Sequence, residues 1–326
     1  MDRNRFIIRV VVVFLILFIP TFLFGGYYYQ QISAEMTADV FAKRATVAGL
    51  SASALRNKLN HLVGVAQSLA ADPQVLSSAQ GGAWSAAVDR IDKLSNDVDY
   101  YDPFIDRIVL IDRSGIVRAA NPELYGGVGQ KSAIYDDWAS AIFDKKEPFY
   151  VSDVYTRTAI PRINVISVIA PMVAHGAVIG AVSLQIPNNA FSDFGKDVDI
   201  GSDGFAYFVD RKGHIVTHPK YSSQGPIIDY SQLDVVQRVM RGESGSEVSY
   251  NPLTQVDRAL VYTPVPEFGW GIISQESTQN AFGQRDEILS RIVISLLALS
   301  LIEIALAFGI ALKLFPSSRL GINGNV

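Results

Sequence analysis

Apolar residues run almost unbroken from Val10 to Phe24 and again from Ile292 to Leu314. A bilayer core needs about 20 apolar residues of helix, and each run reaches that length once interfacial residues are counted. Arg3, Arg5 and Arg9 precede the first run, Tyr27, Tyr28 and Tyr29 close it, and Lys313 and Arg319 mark the far end of the second. Basic residues at both outer ends predict cytoplasmic termini and an extracytoplasmic middle. The alternative for the first run is a cleaved signal peptide cut near Ala34. Its apolar stretch is longer than the roughly 7–15 residues typical of a signal peptide.

From Gln31 to Ala71 there is no proline, and Gly49 and Gly64 are the only breakers. Apolar residues recur at Ile32, Met36, Val40, Val47, Leu50, Ala54, Leu62, Val65 and Leu69, close to helical spacing. The spacing predicts a helix of about 40 residues, some 60 Å long. Asp72-Pro73 ends it, because proline disfavours helix at the preceding residue. Two shorter helices broken at Gly49 or Gly64 would fit the same residues.

Beyond Pro73 the period shortens to that of strands. The first series is Ile105 to Ile111, Ile116 to Ala120, Phe149 to Tyr155, Arg162 to Ala170 and Ala177 to Ile186, with a helix over Ser132 to Phe143. The second is Phe205 to Val209, His214 to His218, Glu247 to Tyr250, Ala259 to Thr263 and Gly271 to Gln275, with a helix over Leu233 to Met240. The segment from Ile111 through Asp112, Gly115 and Val117 matches that from Val209 through Asp210, Gly213 and Ile215, and Pro122 and Pro219 follow at nearly equal offsets. Turns alone favour Asp and Gly. Turn, strand order and proline together point to an internal duplication.

Composition narrows the chemistry. The 326 residues carry a formal charge of −4 and no cysteine. Disulfides, zinc–thiolate sites and cysteine nucleophiles are thereby excluded. No basic patch with interleaved aromatics suggests nucleic acid. No nucleophile elbow or phosphate-binding glycine loop is present, so no catalytic residues and no cofactor are expected. His214 and His218 share a strand face with only Asp210 and His175 as further ligand candidates, which favours a structural strand end over a metal site.

Polar residues at same-face strand positions are unexpected in a core and expected in a pocket. On this reasoning Asp153, Tyr155 and Arg157 lie on one face, Arg162 and Asn164 on the next strand's, and Tyr135 and Trp138 on the intervening helix close the pocket. Arg157 and Arg162 would equally suit a solvent-exposed turn around Pro161. Aromatic walls with a few placed polar groups suit a small polar ligand, anions included. Glu303 lies mid-span, where a charge costs at least about 2.5–3.5 kcal/mol. The first span offers it no good internal partner, with Arg9 near the cytoplasmic edge. Glu303 is therefore read as lining a helix–helix interface, in a homodimer or with a separate output protein, or else as a protonated acid facing lipid or a neighbouring backbone.

Three segments carry a family resemblance: Val65 to Pro73, the run Glu147-Pro148-Phe149-Tyr150-Val151-Ser152-Asp153-Val154-Tyr155, and Asp203 to Pro219. From Gln31 to about Ser277 the chain resembles a double Cache sensor domain of prokaryotic transmembrane receptors. The resemblance implies an α+β fold, with two PAS-like antiparallel sheets stacked along the long N-terminal helix and flanked by two transmembrane helices. It also implies a small ligand in the membrane-distal module and a chemoreceptor, kinase or cyclase output. Amino-acid-binding members have an arginine where Asp136 stands, a tyrosine at Ala139, and an aspartate after the last distal strand, where the stretch here reads Ser183-Leu184-Gln185-Ile186-Pro187-Asn188. An aspartate facing an α-carboxylate would repel it.

The expected division is 1–30 for the cytoplasmic end and first span and 31–72 for the stalk helix. The distal module follows over 73–190, the proximal module over 191–280, the second span over 281–315 and a short cytoplasmic tail over 316–326. The tail resembles the opening of a HAMP linker. The implied function is a transmembrane sensor, with a ligand-free membrane scaffold serving a separate signalling protein as the alternative.

Overall fold

The computed structural model describes residues 3–95, 102–123, 125–195, 201–252 and 254–314. The tail at 316–326 lies outside them. The chain divides into two compact units, Lys43–Ser277 and a helical unit of Met1–Ala42 with Thr278–Val326.

Helix α1 (Arg3–Ala71) runs without a break through Pro20, Gly49 and Gly64. In its second half, Ala48, Ala52, Leu55, Leu59, Leu62, Ala66 and Leu69 are buried at alternating steps of four and three. That is one face of an α-helix. Leu50, expected on this face, is 56% exposed. Alanines carry much of the stripe, and their weak hydrophobicity leaves it fainter in the sequence than the larger, outward-facing Leu50. Gln67 donates to the Pro148 carbonyl, and Arg44 donates to Glu276 across a buried ion pair. Asp72-Pro73 ends α1 as expected but also starts a second helix. The Asp72 carboxylate accepts from the Gln74 and Val75 N–H groups and caps α2 (Pro73–Gln80), which has proline in its first turn. Helix α3 (Trp84–Ser95) follows. Neither was expected from the strand-like reading after Pro73.

The first sheet contains β1 (Arg107–Asp112), β2 (Val117–Asn121), β3 (Tyr150–Val151), β4 (Tyr155–Thr156), β5 (Asn164–Ala174) and β6 (Ala177–Pro187), with α4 (Tyr135–Ala139) between β2 and β3. Its order is β2-β1-β6-β5-β3, with β4 also on β5. The last strand thus inserts beside the first, and the sheet is not the plain meander that chain order suggests. The second sheet contains β7 (Phe205–Val209), β8 (Ile215–Thr217), β9 (Gly245–Asn251), β10 (Val256–Val265) and β11 (Trp270–Ser277), with α5 (Asp234–Met240) in the same place. Its order, β8-β7-β11-β10-β9, repeats the first. Each helix covers one sheet face: Trp138 of α4 packs with Val109, Ile111, Ile169 and Ala181, and Val235, Val236 and Val239 of α5 pack with Tyr207, Leu260 and Ile273.

The duplication extends to single hydrogen bonds. Asp112 Oδ1 accepts from the N–H groups of Ser114 and Ile116, and Asp210 Oδ1 from those of Lys212 and His214. Gly115 and Gly213 take φ of 83° and 81° in the two turns. A side chain there would be strained and would also strike the Tyr135 ring or the Ser231 backbone. Each turn is followed by a bridge to the approaching loop, Ile116 with Lys131 and His214 with Asp229.

His218 follows β8 directly and sits among aromatic rings, with Tyr221 at 4.4 Å and Phe205 at 4.7 Å between centroids. The Lys220 N–H donates to its Nδ1 at 3.1 Å, which places the neutral ring's proton on Nε2. Burial, helped by Lys220, pushes its pKa down to about 4. The unfolded chain, with an ordinary histidine near 6.5, takes up the proton first. Stability from neutral His218 is therefore full above about pH 6.5 and is lost as pH falls toward 4, by about 3 kcal/mol. His218→Asn should flatten the fall in urea midpoint between pH 6.5 and 4 relative to wild type. Parallel curves for the two proteins would contradict the assignment.

In the helical unit, α1 and α6 (Thr278–Leu314) run antiparallel. Phe6 meets Phe308 edge-on at 5.9 Å, and Phe41 meets Phe282 at 6.2 Å. Gly25 allows close approach, since a methyl group there would sit 2.5 Å from Leu296. Both helices are long and apolar enough to cross a membrane. Glu303 is buried between them and accepts from Thr21 Oγ1 at 2.7 Å. The first span does supply a partner, a hydroxyl that a search for opposite charge passes over.

Candidate ligand-binding site

The helix-covered face of the first sheet is not apolar throughout. Alternation along β6 puts Ala181, Ser183 and Gln185 on it, facing Ile111, Val109 and Arg107 of β1. Across β5, Ser167 stands beside Gln185. Over these polar positions lies a recess of about 30 Å³. Its floor is Val109, Ile111, Ser183 and Gln185, its side Tyr155, Arg157 and Ala159, and its roof the loop carrying Gln130, Lys131 and Ser132.

Tyr155 is half-buried at the side of the recess. Its hydroxyl shares a 2.7 Å hydrogen bond with Ser167 Oγ and accepts from Gln185 Nε2 at 3.3 Å. Burial raises its pKa, against those two hydrogen bonds and the nearby Arg157. Arg157 is 2% exposed. Its Nε donates to the Pro161 carbonyl at 2.7 Å and its Nη1 to Asp106. Two buried polar atoms remain unpartnered: Arg157 Nη2, a donor, and Gln185 Oε1, an acceptor. Burying an unmade hydrogen bond costs about 1–3 kcal/mol, more for a charged group. The recess thus presents a charged donor and a neutral acceptor.

Of the seven residues expected in a pocket, Tyr155 and Arg157 line this recess. Trp138 is wholly buried in the core beneath α4, with Tyr135 edge-on at 5.1 Å. The Tyr135 hydroxyl donates to the Arg113 carbonyl. Arg162 is exposed. Asp153 faces the second sheet, where Arg211 Nε lies at 2.9 Å and Lys212 Nζ at 3.5 Å. Asn164 also turns that way, donating to the Gly225 carbonyl at 2.8 Å and accepting from Thr156. The cause is local. Residues 152–154 lie between β3 and β4 in no strand, so strand alternation does not carry from Asp153 to Tyr155. The Val154 N–H instead donates to Asp210 Oδ2 at 3.0 Å.

Asp136 does not face the recess. Its side chain is 91% exposed, 3.5 Å from Lys131 Nζ, so the expected repulsion of a carboxylate does not arise. Gln185, Ser183 and Lys131 were missed as site residues. The available signal was polar side chains at alternate positions of the otherwise apolar run Val182 to Ile186.

Known proteins show the same architecture. The ligand-binding domain of the Pseudomonas fluorescens chemoreceptor CtaA, in complex with L-isoleucine, is 16% identical with a TM-score of 0.54 over 78% of this chain and 98% of that one. The ligand-binding domain of the Pseudomonas aeruginosa PAO1 amino acid chemoreceptor PctB, in complex with L-Arg, is 17% identical with a TM-score of 0.54, over 76% and 91%. The ligand-binding domain of Mlp24 with asparagine is 14% identical with a TM-score of 0.52, over 79% and 98%. No match is found among curated proteins. The dCache_1 family model, described as a Cache domain, matches residues 28–285, and the chain belongs to that family.

Proposed function

We propose that this protein is a transmembrane sensor whose Cache region lies outside the cytoplasm and binds a small, polar, anionic molecule over Tyr155, Arg157 and Gln185. The observation that carries this reading is the buried, unpartnered pair Arg157 Nη2 and Gln185 Oε1 beside a recess. An anion with one hydrogen-bond donor answers both groups, as an amino or hydroxy acid would. The recess holds about one water at its present volume, so binding requires the Gln130–Ser132 loop to move outward. Trp138 and Tyr135 brace the sheet beneath that loop. The signal would pass as a relative shift of the two membrane helices, with the Thr21–Glu303 contact between them. A homodimer and a separate output protein are the partners this reading calls for.

The test is calorimetric titration of the full chain in detergent with amino acids and short hydroxy acids. Arg157→Met removes a charged hydrogen bond worth about 1.5–3 kcal/mol, so affinity should fall about 10- to 100-fold. An affinity within twofold of wild type would remove Arg157 from the site. The small recess volume favours a second reading, a ligand-free membrane scaffold. Wild-type protein that binds none of these acids would support it.

A further inference from the structure

We propose that the second sheet holds a binding site of its own, for a small N–H-bearing molecule without negative charge, an amine or amide. The cavity beneath α5 measures about 270 Å³, far more than the first recess, and is lined by Tyr207, Leu260 and Gln275 from the sheet, Ser249 from β9 and Asp234 from α5.

Two buried polar side chains line it without protein partners. Gln275 is 2% exposed and Tyr207 is 1% exposed. Among the described residues, no protein hydrogen bond reaches the Gln275 amide or the Tyr207 hydroxyl. Gln275 lies on the core face, two residues from the fully buried Ile273. An apolar residue there would serve packing alone. Their polar ends open onto the cavity, where a ligand group would replace solvent.

The duplication gives an independent reason. Ile111 pairs with Ala181 and Arg107 with Gln185; Val209 pairs with Gly271 and Phe205 with Gln275. Superposing the matched Asp112 and Asp210 turns makes Gln185 and Gln275 the same position in the two sheets. Both modules thus place a glutamine over a recess at one point of the fold. This second site stands whether or not the first sheet binds anything.

Charge selects the class. Among the described residues, Asp234 is the one carboxylate on the lining, and no lysine or arginine lines the cavity. Arg238 is taken by Glu247 and Arg258 by Asp203, each within 2.9 Å. Burial raises the Tyr207 pKa, so its phenol stays protonated and can donate or accept. Donors from an ammonium or amide group suit Asp234 and Gln275 Oε1. An anion would meet Asp234 with no compensating cation.

The experiment titrates the full chain in detergent with ethanolamine, putrescine, acetamide and glycinamide, and with acetate as the anionic counterpart. At least one of the four nitrogen compounds should bind, with acetate failing to compete. Gln275→Leu and Tyr207→Phe should each weaken that binding tenfold or more with an unchanged far-UV spectrum. Tyr207→Phe preserves the ring and guards against a folding defect in the other variant. Failure of all four compounds to bind, equal affinity in both variants, or competition by acetate would each overturn the proposal.

Discussion

Arg44→Met alone should destabilise the Lys43–Ser277 unit by about 3–5 kcal/mol, and adding Glu276→Leu should restore most of the loss. Arg44 and Glu276 form an ion pair with side chains only 3% and 6% exposed. Burial lowers the Arg44 pKa, opposed by the charge of Asp203. Desolvating two charges roughly offsets their attraction, so the pair itself adds little net stability. Removing one member leaves the other charged in a dry site, which is the costly state. Removing both replaces a polar contact by an apolar one of similar volume. Urea unfolding of the full chain in detergent, followed by tryptophan fluorescence, reads both steps. A single variant within 1 kcal/mol of wild type would show that water reaches the site. A double variant as unstable as the single one would show that the pair is held by more than its mutual charge.

Asp210 is the second large case, and two substitutions separate its two tasks. Its carboxylate is fully buried. Oδ1 holds the β7–β8 turn through Lys212 and His214, while Oδ2 accepts from Val154 of the first module at 3.0 Å. Burial and the neighbouring Asp153 push its pKa up, while the Val154 and His214 N–H groups and the His214 ring oppose this. Asp210→Ala strands three N–H groups and should cost about 3–5 kcal/mol. Asp210→Asn keeps an oxygen for the turn but points an NH2 group at the Val154 N–H. It should cost about 1–3 kcal/mol, the penalty for one unmade buried bond. Differential scanning calorimetry of both variants gives the comparison. Equal losses would mean that the bond between modules contributes nothing beyond the turn.

Much of this architecture is legible in the sequence because its signals are local. Strand β7 falls at Phe205–Val209 as expected, since aromatic and β-branched residues end there at an Asp–Gly turn. The duplicated turn is legible for the same reason. Helices α2 and α3 were hidden because Asp72-Pro73 serves both as a stop and as a start, and only the cap geometry distinguishes them. The site was half legible. Tyr155 and Arg157 line the recess, but the break at 152–154 takes Asp153 away from it, and Asn164 lies on the face of β5 opposite Ser167. Gln185 shows why the rest was hidden: an uncharged side chain in an apolar run signals a pocket only once its unpaired oxygen is seen.

The interruption at 152–154 has a consequence for how the modules communicate. Five consecutive residues hold both ends of a lever: Asp153 and Val154 grip the second module through Arg211 and Asp210, and Tyr155 and Arg157 reach the recess. Arg157 lies on the same stretch of backbone that docks the modules together. Thermodynamic linkage then works in both directions. A molecule that binds more tightly when the modules are docked must strengthen docking by the same factor, and Asp210→Asn, which removes a bond between the modules, must weaken its affinity.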